Sequence, residues 1–343
     1  MCGIVGYIGQ RDATPIILNG LKRLEYRGYD SAGIAVLENG HIELRRDAGK
    51  LHRLLSIVEE NPLSGQIGIG HTRWATHGEP NAQNAHPHLG STNEVVVVHN
   101  GIVENFLELR DELVAEGVSL KSETDSEIIV HLIEKFLSTE TDLLSASRKA
   151  FSLLRGHHGI VVISAKEPDK IIATRIGNAG GVAIGFGEDE MFVASDMPAI
   201  LEHTRKITFL ESHQIGVVTK TGLEVQTLDG DPVEYQTEQI SWDPVAAEKG
   251  EYRHFMQKEI HEQVRSITDT ISGRVDFDAG KIVLQNLKIT ESDAKEIEKI
   301  IIIACGTAAY AAMVGKVLIE KIARIPVEVD VASEFRYRDP IIN

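Results

Sequence analysis

The sequence predicts an α+β protein: stacked sheets covered by helices, followed by a βαβ unit of a different style. Three observations carry this. Short apolar strands come in two runs with a group of amphipathic helices between them, an order that suits packed sheet layers better than an alternating parallel fold. Near residue 229 the chain turns acidic and weakly periodic, with Pro232 and Pro244. From Lys299 the apolar residues run without a break, as a strand buried on both faces requires.

With 343 residues there is room for two domains. The expected boundaries are a first domain over 1–228, a linker over 229–250, a helical segment over 251–298 and the start of an α/β domain over 299–343. A single crossover cannot cover both faces of a doubly wound sheet, so that last piece is expected to be completed elsewhere. The formal net charge of −16 repels nucleic acid and anionic membranes, which excludes them as partners. No apolar run is long enough to span a bilayer, and Arg11 and Asp12 come too early for a secretory leader, so a cytoplasmic location is expected. The two cysteines, Cys2 and Cys305, make no disulfide framework.

In chain order, Cys2–Ile8 reads as a buried strand. Asp12 caps a helix with Pro15 in its first turn and Ile16, Ile17, Leu21 and Leu24 at helical spacing. Asn39-Gly40 marks a hairpin between Gly33–Leu37 and His41–Arg46, and a helix covers Leu51–Glu60. The strand Gln66–His71 delivers a long irregular loop through His88, and a loop of that length in a compact domain is usually functional or mobile. Glu94–His99 is a central strand expected to stop at Asn100-Gly101. Helices follow at 105–116, 124–138 and 142–154, the second opening on Ser122-Glu123-Thr124-Asp125-Ser126-Glu127 as capping groups. Short strands then fill 160–219, with one helix near 198–203. An amphipathic helix spans 252–271, and Lys299–Ala304, Ala308–Ala323 and Pro326–Val331 form the βαβ unit.

The chemistry begins at the terminus. Without Met1, Cys2 carries a thiol and a free α-amine, with reference pKa values of about 8.5 and about 7.7–8.0, so the amine can serve as base for the thiol. To cleave a carboxamide, such a nucleophile needs oxyanion donors, and Asn100-Gly101 at a strand end offers a side-chain amide beside a backbone N–H. Arg73 can clamp a carboxylate and Asp125 an ammonium, which together suit the amino-acid end of glutamine. Each is weak alone. An Arg in a loop is usually solvated, and Asp125 reads equally as a helix cap. His71, His77, His86 and His88 lack the tight spacing of zinc ligands, so neither metal nor cofactor is expected. Cys305 at a strand end reads as packing or close backbone approach, not as a second nucleophile. The run Gly156-His157-His158-Gly159 has no role in this reading.

Five separated motifs resemble the glutaminase domain of the glucosamine-6-phosphate synthases: Cys2–Gly6, Tyr26–Gly33, His71–Gly78, His99-Asn100-Gly101 and Ser122–Glu127. Tyr252–Ile260 and Ala332–Arg338 resemble the same family's interdomain helix and the start of its sugar isomerase (SIS) domain. The resemblance implies an N-terminal-nucleophile hydrolase fold, an αββα sandwich, followed by an incomplete SIS-type βαβ segment. It implies Cys2 as nucleophile and base, and Asn100 and Gly101 as oxyanion donors. Arg73, Trp74, Thr76, His77 and Asp125 then bind substrate, with Trp74 where ammonia passes, and Arg27 and Gly28 support them. The implied partners are L-glutamine, fructose 6-phosphate and, at full length, a second copy as homodimer. The fructose 6-phosphate site is largely outside this chain, and Ala308 stands where relatives tend to carry Ser, so this chain alone is not expected to make glucosamine 6-phosphate. The glutaminase domain of a phosphoribosyl-diphosphate amidotransferase and a non-catalytic binding protein are the competing readings.

Overall fold

The computed structural model describes residues 2–75, 77–177, 181–241, 252, 254–272, 274–276, 279–282 and 289–342. The chain divides into two compact units, Met1–Glu251 and Tyr252–Asn343.

The first unit opens with β1 (Gly3–Ile8) and α1 (Ala13–Leu24). Asp12 caps α1 as expected, its carboxylate accepting from the Thr14 N–H at 3.1 Å. The hairpin β2 (Ser31–Glu38) and β3 (His41–Ala48) turns on Asn39 and Gly40, both at positive φ, which a two-residue hairpin of the right twist needs. There follow α2 (Leu51–Glu60), β4 (Ile67–Arg73), β5 (His88–Leu89) and β6 (Val95–Val103). The helices α3 (Phe106–Ala115), α4 (Glu127–Leu137) and α5 (Leu143–Ser152) come next. The unit continues with β7 (Gly156–Ser164), β8 (Glu167–Ile176), β9 (Ala183–Phe186), β10 (Met191–Ala194), β11 (Lys206–Phe209), β12 (Gln214–Thr219), β13 (Gly222–Thr227) and β14 (Glu238–Gln239).

Among the described residues these strands make an eight-stranded sheet, β14-β11-β9-β10-β1-β4-β2-β3, and a six-stranded sheet, β13-β12-β8-β7-β6-β5. The alternation of side chains assigns the layers. Along β1, Ile4 and Ile8 face the other sheet while Val5 and Tyr7 pack under α1. Along β6, Val96 and Val98 face the first sheet while Val95 and Val97 pack against α4 and α5. The four consecutive valines are thus a strand buried on both faces. Helix, sheet, sheet, helix is the resulting order, the αββα sandwich of the N-terminal-nucleophile hydrolases.

Several expectations need correction. β6 does not stop at Asn100-Gly101; it continues to Val103 because β7 starts early, at Gly156, and pairs with it to the end (Asn100↔Gly159, Gly101↔His158, Val103↔Gly156). That accounts for the Gly-His-His-Gly run. Residues 229–241 are not free linker: Glu238–Gln239 pairs with β11 and Ile240 is buried. The helix expected near 198–203 is a 3-10 turn over Met197–Ala199.

The second unit holds α6 (Phe255–Ile271), a strand pair β15 (Val275–Asp276) and β16 (Lys281–Ile282), and α7 (Glu291–Glu296), which Thr290 and Asp293 close with a capping box. Then β17 (Ile300–Ala304), α8 (Gly306–Ile322) and β18 (Val327–Val331) form a parallel βαβ unit, Ile300 opposite Val327, followed by α9 (Ala332–Tyr337). Cys305 is exposed, so packing does not explain it. Among the described residues no helix is long and apolar enough to cross a membrane.

Candidate active site

Strand register decides what surrounds Cys2. β1 pairs with β4 through Gly3↔Thr72, and β2 flanks β4 through Ser31↔Arg73. The chain terminus therefore lies where β4 runs out into Arg73-Trp74. The Trp74 N–H donates to Cys2 Sγ at 3.2 Å, and the thiol faces the Trp74 carbonyl at 3.7 Å. A Cβ on Gly3 would come within 2.6 Å of Thr72 Oγ1 and 2.8 Å of Leu24 Cβ, so the residue after the thiol has to be glycine for the strands to close. Burial pushes the Cys2 thiol up, and the Trp74 backbone bond pulls it back. A thiol kept protonated in this way needs a base nearby.

The second sheet supplies the amide. Asn100 on β6 donates from Nδ2 to the Cys2 carbonyl at 3.2 Å. Gly101 beside it has φ +145°, and a Cβ there would lie 2.2 Å from the His157 carbonyl oxygen. Only glycine fits this bend of β6 against β7.

Arg73 is 4% exposed. Its Nη2 donates to the carbonyls of His77 and, at 3.4 Å, Gly78, while Nη1 is buried with no hydrogen-bond partner among the described residues. Burial lowers its pKa, while the charges of Asp30, Cys2 and Asp125 favour the cation. Asp125, also 4% exposed, accepts from the Val103 N–H at 2.7 Å. Burial raises its pKa, opposed by that N–H and by His77 and Arg73. Arg73, Asp125, His77 and Cys2 thus share one electrostatic neighbourhood. Trp74 is 47% exposed and meets Tyr29 edge-on at 5.3 Å between ring centroids. Gly28 lies against the Arg73 backbone, where a Cβ would come within 2.7 Å of its carbonyl carbon, and Arg27 pairs with Asp196 at 2.5 Å. Thr76 lies outside the described residues.

The segment 122–127 does not spend its groups on capping. Ser126 occupies the N-cap position of α4 without a capping bond, and its Oγ is 2.8 Å from His99 Nδ1. Thr124 Oγ1 is 2.9 Å from His88 Nε2, and Glu127 accepts from the N–H groups of Lys121 and Ser122. Residues not singled out in the sequence as site residues converge here. Asp30 accepts from the Ala75 N–H and donates its own N–H to the Arg73 carbonyl at 3.2 Å, fixing the loop that holds the thiol. Ser195 Oγ accepts from the Ile4 N–H at 2.9 Å. Five buried histidines, His71, His86, His88, His99 and His158, form the floor, each kept neutral chiefly by burial. Among the described residues no group of three or more His, Cys, Asp or Glu is arranged to hold a metal ion.

Cys2 leads directly into the first strand of an αββα sandwich, and Asn100 of the second sheet donates to its carbonyl; Asn100 lies in the part of the chain similar to glutamine amidotransferase domains. Residues 71–202 match the family model of a glutamine amidotransferase domain. Over 343 residues the chain is 51% identical to the glutamine–fructose-6-phosphate aminotransferase (isomerizing) of Caldanaerobacter subterraneus subsp. tengcongensis, a match covering 100% of this chain and 56% of that protein. It is 45% identical over 343 residues to the enzyme of the same name from Thermus thermophilus, covering 100% and 55%. The chain thus spans about half the length of the curated relatives it matches. Among solved structures, glutamine phosphoribosylpyrophosphate amidotransferase from B. subtilis, complexed with ADP and GMP, has a TM-score of 0.61 at 18% identity, over 96% of this chain and 65% of that one. The allosteric regulatory enzyme of purine biosynthesis has a TM-score of 0.59 at 24% identity, over 66% and 49%. At those identities the structural likeness speaks for the fold alone.

Proposed function

We propose that this chain releases ammonia from L-glutamine, and that in the longer enzyme the ammonia passes to fructose 6-phosphate to give glucosamine 6-phosphate and glutamate. The observation that carries the first step is the meeting of Cys2 Sγ with the Trp74 N–H at 3.2 Å while the Asn100 amide points to the Cys2 carbonyl at 3.2 Å. Identity to glutamine–fructose-6-phosphate aminotransferases along all 343 residues of this chain, 56% of the relative's length, supports the sugar acceptor over a phosphoribosyl one. Cytoplasmic location and assembly as a homodimer go with that reading.

With Met1 removed, the free α-amine of Cys2 takes the thiol proton as sulfur attacks the side-chain amide carbon of glutamine. The carbonyl π electrons move to oxygen, and Asn100 Nδ2 with the Gly101 N–H stabilises the oxyanion. Losing one such donor typically costs about 10²–10³ in kcat. The ammonium returns its proton to the departing nitrogen, ammonia leaves, and a γ-glutamyl thioester remains on Cys2. Water, activated by the same amine, hydrolyses it to glutamate and restores the thiol. Arg73 and Asp125 hold the carboxylate and ammonium of the substrate, with Thr76 and His77 beside them. The buried Nη1 of Arg73, without a hydrogen-bond partner among the described residues, supports this assignment, since an unsatisfied cationic donor is costly until an anion meets it.

The test is a coupled glutamate assay on the chain lacking Met1, with and without fructose 6-phosphate. Glutamate release from glutamine is expected; none at any glutamine concentration contradicts the proposal. Arg73→Ala is expected to raise KM about 10- to 100-fold, the worth of a charge-assisted bond, with kcat much less affected. A kcat loss at unchanged KM assigns Arg73 another role.

A further inference from the structure

His71 is fully buried on β4, and it is not among the residues assigned above to gripping glutamine. Its Nε2 lies 3.1 Å from the His99 carbonyl oxygen and 3.0 Å from Asn100 Oδ1. A carbonyl oxygen can only accept, so Nε2 must carry the hydrogen. That choice propagates. With a donor at Nε2, the Asn100 side chain has to present its oxygen to His71, and its NH₂ then points to the Cys2 carbonyl, where it is found at 3.2 Å. An inverted amide would set two N–H donors against each other in a buried site and turn an acceptor toward the place where an oxyanion forms. The ring itself is held in plane by stacking on His86, with centroids 4.2 Å apart and 28° between planes. His71 Nδ1 and both His86 ring nitrogens have no partner among the described residues, so the His99 and Asn100 oxygens alone set the tautomer.

We propose that His71 is a positioning residue: locked by the His99 carbonyl, its Nε2–H fixes the Asn100 amide with its donor toward the reacting centre. The inference rests on the glutamine-hydrolysing reading of the site. Without His71 the amide samples both orientations, and catalysis loses part of what Asn100 supplies, while the grip on the amino-acid end of glutamine is untouched.

The experiment is a double-mutant cycle on the full chain lacking Met1, using H71F, N100A and the pair, with H71Q as rescue because Gln restores a donor near the Nε2 position. H71F is expected to lower kcat about 10- to 100-fold, below the about 10²–10³-fold loss for N100A, with KM within about threefold of wild type. H71Q is expected to recover most of the loss, and H71F in the N100A background to cost almost nothing. If H71F does not melt cooperatively, H71M, which also lacks a donor, takes its place. Equal losses from the His71 substitution in wild-type and N100A backgrounds, or a loss appearing in KM, overturn the inference. A wild-type chain that releases no glutamate overturns the underlying reading instead, so the two failures are distinguishable.

Discussion

The two units of this chain bury their apolar residues to different degrees. In the first, every layer has a partner: Ile163 on β7 faces the opposite sheet and is 0% exposed, and Val162 next to it is equally buried under helices. In the second, the parallel pair β17–β18 carries one crossover helix, and Tyr310, Met313, Val314, Val317, Leu318 and Ile322 of that helix are exposed. Both segments have strong local patterning, yet only a closed sandwich converts pattern into burial, at about 0.8 kcal/mol per CH₂. The contrast teaches where chemistry can be built. A Gly101 that admits no side chain, an Arg73 donor without a partner among the described residues and neutral buried histidines are tolerable only where the surrounding packing over-determines them.

The largest expected break in the comparison comes from acid. His71 and His158 have pKa values lowered to about 4, and His88 to about 3, by burial first of all, from an ordinary 6.5. Between pH 6.5 and about 4 the unfolded chain therefore binds protons that the folded one refuses, and stability falls as pH falls. His71 alone contributes on the order of 3 kcal/mol at about 1.4 kcal/mol per pKa unit. Glu127 and Glu134, where burial is outweighed by bonds to His131, Ser122 and Thr92, sit at about 2 and add a further loss only below their ordinary 4.5. His131 runs the other way: burial would lower it, but Glu127 and Glu134 raise it to about 9, so its contribution is whole below 6.5 and lost through 9. Urea melts across pH 4–9 should show a stability maximum near 6.5 for residues 2–241; a flat profile from 6.5 to 4 would remove the neutral-histidine floor. Ile163→Ala should cost the first unit about 2–5 kcal/mol by cavity formation, measured by the same melts. Gly101→Ala is expected to cost about 1–3 kcal/mol, because φ +145° and the His157 carbonyl both oppose a Cβ, and to lower glutaminase activity with it. Smallest is Val317→Ala on α8, 61% exposed, which should change stability by less than about 0.5 kcal/mol. A cost like that of Ile163→Ala would mean the helix has a partner face after all.

Much of this was legible because periodicity and punctuation are local. Asp12, Asn39-Gly40 and the valines of β6 each announce their element from a few residues. Cys2, Arg73, Asn100 and Asp125 could be proposed as a set because their chemistry is mutually intelligible, and the structure brings Asn100 to Cys2 and the charges of Cys2 and Asp125 to Arg73. What escaped depended on pairing between distant segments. The extension of β6 past Gly101 follows from β7 beginning at Gly156, and the His157-His158 pair makes sense only opposite Ile102 and Gly101. Ser126, Thr124 and Glu127 read as helix caps because that is their common local use, whereas the structure turns them onto His99, His88 and the 121–122 backbone. His71 stands in the sequence as a strand end, a motif residue and a poor candidate metal ligand, with no site role. Its bond to Asn100 spans 29 residues, and no spacing rule reaches that far.

The most direct trial compares two forms of the same chain, one with Cys2 as its first residue and one keeping a single residue ahead of it. If the α-amine is the base, glutamate release should fall by at least about 10²-fold in the longer form, with an unchanged melting temperature. Equal turnover by the two forms would contradict the account at its root, because the thiol would then be activated by some other group.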